Sequence, residues 1–150
     1  WQDAKRFAQW VGARLPSEVE WEFLASRAMG VYPWGNEAPS CQITNYKPEE
    51  ELCNEGQLIN VCSFTTDTIC DLGGNVSEWL MDEWHDTYED APTNQQPWCN
   101  FSTCTQDGPH VIRGGNFMSR ADQLYIYQRD FSSLPNERVG FRLARSLSSF

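Results

Sequence analysis

Apolar residues recur at helical spacing only near the start of the chain. Ala4, Phe7, Ala8 and Val11 stand at i, i+3, i+4 and i+7, the stripe of an amphipathic helix, and Gly12 follows as a stop. This predicts a first helix over residues 3–11. Ser17 precedes Glu20 by three positions, the reciprocal capping pattern, and opens a second helix running to about Arg27. Trp21, Leu24 and Ala25 form its expected buried face, broadened by Val19 and Phe23. From Gly30 the helical period disappears. Short apolar pieces separated by Pro, Gly, Asn and Asp fill residues 30–110, which read as mostly irregular. Val111–Arg113 and Gly140–Ala144 read as strands, with Leu124–Tyr127 as a third candidate. With no internal repeat and no linker, the expectation is one α+β domain of two helices, few strands and long loops. Such loops need support beyond a hydrophobic core, which disulfides or calcium would supply.

Composition narrows the class. The 150 residues suit one domain, and seven Trp, five Tyr and eight Phe exclude a disordered chain. A net charge of −10 repels phosphate backbones, so nucleic acid is not an expected partner. No apolar run reaches the length of a membrane span, and no signal peptide is visible; opening on Trp1 rather than Met suggests a fragment or a processed form. Six cysteines, Cys41, Cys53, Cys62, Cys70, Cys99 and Cys104, contain no Cys-x-x-Cys pair, which disfavours zinc and thioredoxin-type chemistry. Disulfides in an oxidising compartment account for them better, with buried reduced thiols as the alternative. Sequence alone leaves the connectivity open; local pairing of 41 with 53, 62 with 70 and 99 with 104 is the expectation.

Several motifs then follow one another in order. They are Trp1-x-Asp3-Ala4 with Phe7 and Trp10; Arg14-Leu15-Pro16-Ser17-Glu18-x-Glu20-Trp21-Glu22; Tyr32-Pro33-Trp34-Gly35; Asp71-Leu72-Gly73-Gly74-Asn75-Val76-Ser77-Glu78-Trp79; Arg113-Gly114-Gly115-Asn116-Phe117; and Gly140-Phe141-Arg142. Together they span essentially the whole chain, which resembles the formylglycine-generating enzyme family, also called the sulfatase-modifying factor domain. The resemblance implies a C-type-lectin-like α+β fold with low secondary-structure content, two helices and a small antiparallel sheet. It also implies a domain over 1–150 that lacks the strands usually found before the first helix.

Enzymes of this family oxidise a substrate cysteine to formylglycine with two thiols that bind copper after the Arg-Gly-Gly motif. Here the first of those positions aligns with Ser119 and the second falls near Gln123 or Leu124, while no cysteine follows Cys104. A hydroxyl is a poor substitute for a thiolate toward soft Cu(I), so neither copper nor formylglycine generation is expected. Another branch of the family resembles the sulfoxide synthases of ergothioneine biosynthesis, but with only His85 and His110 this chain cannot supply their three-histidine iron site. Hydrolase elbows, zinc-protease helices and phosphate loops are absent, and the acidic pairs Asp82-Glu83 and Glu89-Asp90 follow from composition.

One constellation carries a physical argument for a cation. Asp71 and Glu78 bracket a tight turn whose carbonyls could converge with their carboxylates on calcium, which takes six to eight oxygens. The resemblance implies the ligands Asp71, Gly74, Val76 and Glu78, with calcium as the cofactor. It also implies a second site from Asn45 and Tyr46 to the segment of Cys53, Asn54 and Glu55, although Cys53 stands where a carboxylate is expected. Residues 116–130 mix aromatic anchors with polar groups and read as a recognition surface: Asn116, Phe117, Met118, Ser119, Arg120, Asp122, Tyr125, Tyr127 and Arg129. Packing as a strand is the competing reading of that stretch. Arg113, Arg129 and Arg142 are expected to pair with the acidic majority.

The resulting expectation is a noncatalytic, calcium-stabilised, disulfide-bonded binding scaffold in an exported bacterial protein, extracellular, periplasmic or at the cell surface. Its partner would be an unknown protein or small molecule, or other domains of a parent protein. The alternatives are an enzyme of the same family with a different oxidative activity, an accessory domain of a larger enzyme such as a kinase, and a variable ligand-display protein of a diversity-generating retroelement.

Overall fold

The computed structural model describes residues 1–64, 69–105 and 108–146. Two α-helices open the chain, α1 over Gln2–Trp10 and α2 over Glu18–Ala25, the latter followed by a 3-10 turn over Ser26–Ala28. The predicted capping box is present: the Glu20 amide donates to Ser17 Oγ at 3.3 Å, and the Ser17 amide donates to Glu20 Oε2 at 2.9 Å. Arg14 locks the same carboxylate with two bonds of 2.6 Å. Four strands follow: β1 over Ser77–Glu83, β2 over His110–Arg113, β3 over Asp130–Ser132 and β4 over Val139–Phe141.

The sheet order is β3-β2-β1-β4. β1 pairs antiparallel with β2, and β2 antiparallel with β3, but β1 runs parallel to β4 with Glu78 opposite Gly140. The sheet is therefore mixed, which corrects the antiparallel expectation. Alternation along the strands sends side chains to two faces. Leu80 and Val111 pack with Trp21, Ala25 and Ile126 on the α2 side; Trp79 and Ile112 pack with Ala4 and Leu15 on the α1 side. A third cluster joins Tyr32, Tyr46, Cys53 and Leu124 beneath the loops.

Several expectations need correction. Leu124–Tyr127 is no strand: Leu124 ends a 3-10 turn, and the Ile126 amide donates to the Val31 carbonyl. The Ile126 carbonyl accepts from the Arg113 guanidinium, so scattered partners satisfy this backbone instead of a ladder. β4 is shorter than read, and Ala144 makes an isolated bridge to Arg14. Val19 and Phe23 lie exposed, while Glu18 takes a buried place on α2. β1 and β3 carry no sequence alternation that would have marked them. The seven residues of β1 are mostly buried yet include Glu78, Asp82 and Glu83, and those charges mask the apolar signal.

All six cysteines are paired, 41 with 53, 62 with 70 and 99 with 104, as local pairing predicted. Three disulfides fit an oxidising environment. No helix among the described residues is long and apolar enough to cross a membrane.

Candidate functional site

Beneath α2 lies a cluster of buried charges. Arg113, on the α2 face of β2, is 1% exposed and reaches Glu18 with one guanidinium nitrogen and Glu22, at 2.5 Å, with the other. Arg129 adds bonds of 2.7 and 3.0 Å to Glu18, and its guanidinium lies 4.6 Å from the ring centre of Trp84 and 4.2 Å from that of Tyr88. Burial alone would lower the Arg113 pKa, but Glu18 and Glu22 outweigh it and hold the guanidinium charged. Tyr88 donates to Glu18 at 3.0 Å, and burial, reinforced by that carboxylate, raises its phenol to about 12. Asp82 accepts the amides of Glu18 and Trp98, both at 2.8 Å, tying the start of α2 to the loop that follows β1. Burial pushes Asp82 up to about 6 despite those two bonds. Glu83 goes the other way. Burial raises it, but bonds from Thr105 and Asn100 prevail and keep its pKa low.

The expected calcium loop is organised around a guanidinium. Arg142 grips both oxygens of Glu78 at 2.6 Å, and Trp21 Nε1 donates to Oε2 at 2.8 Å. The same Arg142 bonds the carbonyls of Cys70 and Asp71 at 2.9 and 3.2 Å. Asp71 Oδ2 accepts the Cys62 amide at 2.6 Å. Gly74 is pressed against Asn45 and Thr44 with φ of 84°, where a Cβ would clash, so its role in the turn requires glycine. A calcium ion held by Asp71, Gly74, Val76 and Glu78 would have to compete with Arg142 for Glu78. Arg142 brings one positive charge to a loop that carries two carboxylates, Asp71 and Glu78.

At the second expected site the side chains are bonded to neighbouring loops. Asn45 is 1% exposed; its Oδ1 accepts from Asn54, its Nδ2 donates to the Gln57 carbonyl, and its own carbonyl accepts from Asn75. Tyr46 donates to the Pro39 carbonyl, and Cys53 is disulfide-bonded. These groups tie loops together. The histidines are also committed: His110 stacks on Trp1 at 3.6 Å, and His85 on Trp98 at 3.7 Å.

The recognition surface expected over 116–130 divides into separate places. Phe117 is buried. Arg129 belongs to the cluster under α2. Arg120, Asp122 and Tyr125 border an open hollow with Tyr46, Lys47 and Glu49, and Tyr125 stacks between Tyr32 and Tyr127 at 5.0 and 5.1 Å. Asn116, Met118 and Ser119 line a different cavity of about 220 Å³ at the end of β2, and Gln123 joins them there. The two polar positions expected in place of the copper thiols, Ser119 and Gln123, thus share one wall, whereas Leu124 is a core residue.

Ser77, Gln128, Asp130 and Arg138 complete the cavity, and sequence reasoning missed all four. They come together only through the strand order. The floor is backbone, because Gly114 and Gly115 have φ of 90° and 66° and a Cβ at Gly115 would meet Leu124 at 2.7 Å. Asn116 donates to Ser77 Oγ at 3.1 Å, and the Asn116 amide donates to Ser119 Oγ at 3.0 Å, so the polar wall is held in place.

Residues 1–147 match the sulfatase-modifying factor enzyme 1-like domain. A serine/threonine-protein kinase of Chlamydia pneumoniae is 29% identical over 99% of the chain and 23% of its own length. The inactive C-alpha-formylglycine-generating enzyme 2 of Mus musculus is 33% identical over 97% of the chain and 47% of its own length. Among solved structures, PvdO from Pseudomonas aeruginosa superposes with a TM-score of 0.78 and 26% identity, over 98% of this chain and 60% of that one. The chain therefore spans about half or less of the curated relatives it matches. The match runs over nearly every residue, and the chain belongs to the sulfatase-modifying factor enzyme 1-like family.

Proposed function

We propose that the chain is a noncatalytic, disulfide-stapled binding module within a larger exported protein, and that it takes its ligand in the cavity bounded by Ser119 and Gln123. One observation carries this reading. Hydroxyl and amide groups stand where the family resemblance requires copper thiols, while every cysteine of the chain is tied into a disulfide elsewhere. Oxygen and amide donors do not hold Cu(I) as thiolates do. The similarity to a kinase of which the chain covers 23% supports its being one part of a longer polypeptide.

In this reading the loop at 71–78 owes its shape to Arg142 rather than to calcium. Arg142 holds Glu78, the neighbouring disulfide closes residues 62–70, and Trp21 caps the carboxylate from the core side. The module is then stabilised by disulfides and buried ion pairs.

The test is turnover. Purified protein is incubated with Cu(I), oxygen and a cysteine-containing sulfatase-type peptide, beside an active formylglycine-generating enzyme. No aldehyde product is expected from this chain. Aldehyde above the metal-only background would show that it is an enzyme, and the binding-module reading would be withdrawn.

A further inference from the structure

Asp130 and Arg138 stand on opposite sides of the cavity at the end of β2. Asp130 begins β3, opposite Ile112, and Arg138 lies just before β4, its carbonyl accepting the Ser77 amide at the start of β1. With β3 and β4 at opposite edges of a four-stranded sheet, three inter-strand steps of about 4.8 Å separate the two edges, roughly 14 Å between backbones. Among the described residues Asp130 makes no ion pair, and Arg138 has only its sequence neighbour Glu137 at 4.0 Å. Asp130 spends one oxygen on the amide of Phe131 and keeps the other.

Besides the two glycines the lining is mostly polar, Ser77, Asn116, Ser119, Gln123 and Gln128, with Ile112, Met118 and Arg113, whose guanidinium is already matched by Glu18 and Glu22. A volume near 220 Å³ is below the range usual for drug-sized ligands and suits a small guest. An anion alone would leave Asp130 facing negative charge, and a cation alone would leave Arg138 facing positive charge. A guest carrying both signs answers both walls. Such a guest carries an ammonium and a carboxylate a few ångströms apart.

We propose that this cavity binds a small zwitterion of the free amino acid class, with its carboxylate on Arg138 and its ammonium on Asp130. The inference rests on the binding-module reading above and gives its ligand a chemical class.

Isothermal titration calorimetry of the full chain against the free amino acids tests it, with each also supplied as the N-acetyl and the C-amide derivative. Amide shifts of Gly114 and Gly115 in two-dimensional NMR report whether a compound enters the cavity. At least one free amino acid is expected to shift both glycines, with both derivatives at least tenfold weaker. Arg138→Gln is expected to weaken the free form about tenfold and to abolish its advantage over the C-amide. Asp130→Asn should do the same against the N-acetyl form. Both side chains are exposed, and an unchanged melting temperature confirms that the variants fold. If no free amino acid binds, or if binding ignores both substitutions, the inference is overturned. In that event, glycine shifts caused by a neutral sugar or a simple dicarboxylate would leave the binding-module reading standing with a different ligand, whereas peptide-thiol turnover would remove both.

Discussion

The charges under α2 and the charges beside the cavity at the end of β2 are of the same kinds, yet they are placed to opposite effect. Under α2, Glu18 is met by Arg113, Arg129 and Tyr88, and Arg113 in turn reaches Glu22 and the Ile126 carbonyl. Every carboxylate there has a partner supplied by another element, so the cluster ties α2, β2 and the start of β3 into one frame. Beside the cavity, Asp130 and Arg138 have no such partners among the described residues. A buried charge that is matched belongs to the frame, because removing its partner leaves an uncompensated charge in a poor solvent. Charges left unmatched around a polar hollow are free to meet a guest.

The largest expected effect would break the first half of that comparison. Arg113→Ala strands Glu18 and Glu22 and should cost about 3–5 kcal/mol in urea unfolding, the usual penalty for halving a buried pair. A loss below about 1 kcal/mol would mean that the cluster does not act as a frame.

A smaller effect concerns Asp82, whose folded pKa of about 6 exceeds its ordinary value of 3.8. An acid raised by folding binds its proton more readily in the folded state. Stability therefore falls as pH rises from about 4 to about 6, and the contribution is fully present only in acid. Measured against Asp82→Asn at each pH, the wild-type chain should lose on the order of 2–3 kcal/mol across that window. Glu20, held low first by its bond from Arg14, works in the opposite sense, losing stability as pH falls through its folded value. Because Glu20 is common to both proteins, the comparison with the Asp82→Asn variant isolates Asp82. Parallel pH profiles for the two proteins would show that burial does not raise Asp82.

The smallest effect concerns the loop at 71–78, where Arg142 matches Glu78 as Arg113 matches Glu18. Chelation with excess EGTA should shift the melting temperature by less than about 2 °C, under about 1 kcal/mol for a chain of this size. Elemental analysis should find no stoichiometric calcium. A fall well beyond that, reversed by added calcium, would show that an ion shares the loop with Arg142.

Local patterns were legible in the sequence. The capping box at Ser17 and Glu20 needs only residues three apart, and it forms as read. Short loops between cysteines favour closure between neighbours in sequence, and the three disulfides follow that order. The ordered motifs identified the fold. β1 was hidden because it buries Glu78, Asp82 and Glu83, each matched by a group far away in sequence. Leu124–Tyr127 misled because its aromatic and branched residues suit a strand, while Arg113 and Val31 take the backbone bonds that a ladder would need.

The sequence by itself determined the two helices, the disulfide-supported loops, the family and the absence of cysteine after Cys104, since each depends on residue type or short spacing. Only the tertiary structure decided which charges are paired. Glu78 reads as a calcium ligand in the sequence, and in the fold Arg142, 64 positions away, holds both its oxygens. Asp130 and Arg138 carry no signal until a mixed sheet places them across a cavity. A charge's role depends on what lies within a few ångströms of it, and strand order sets that distance in this fold.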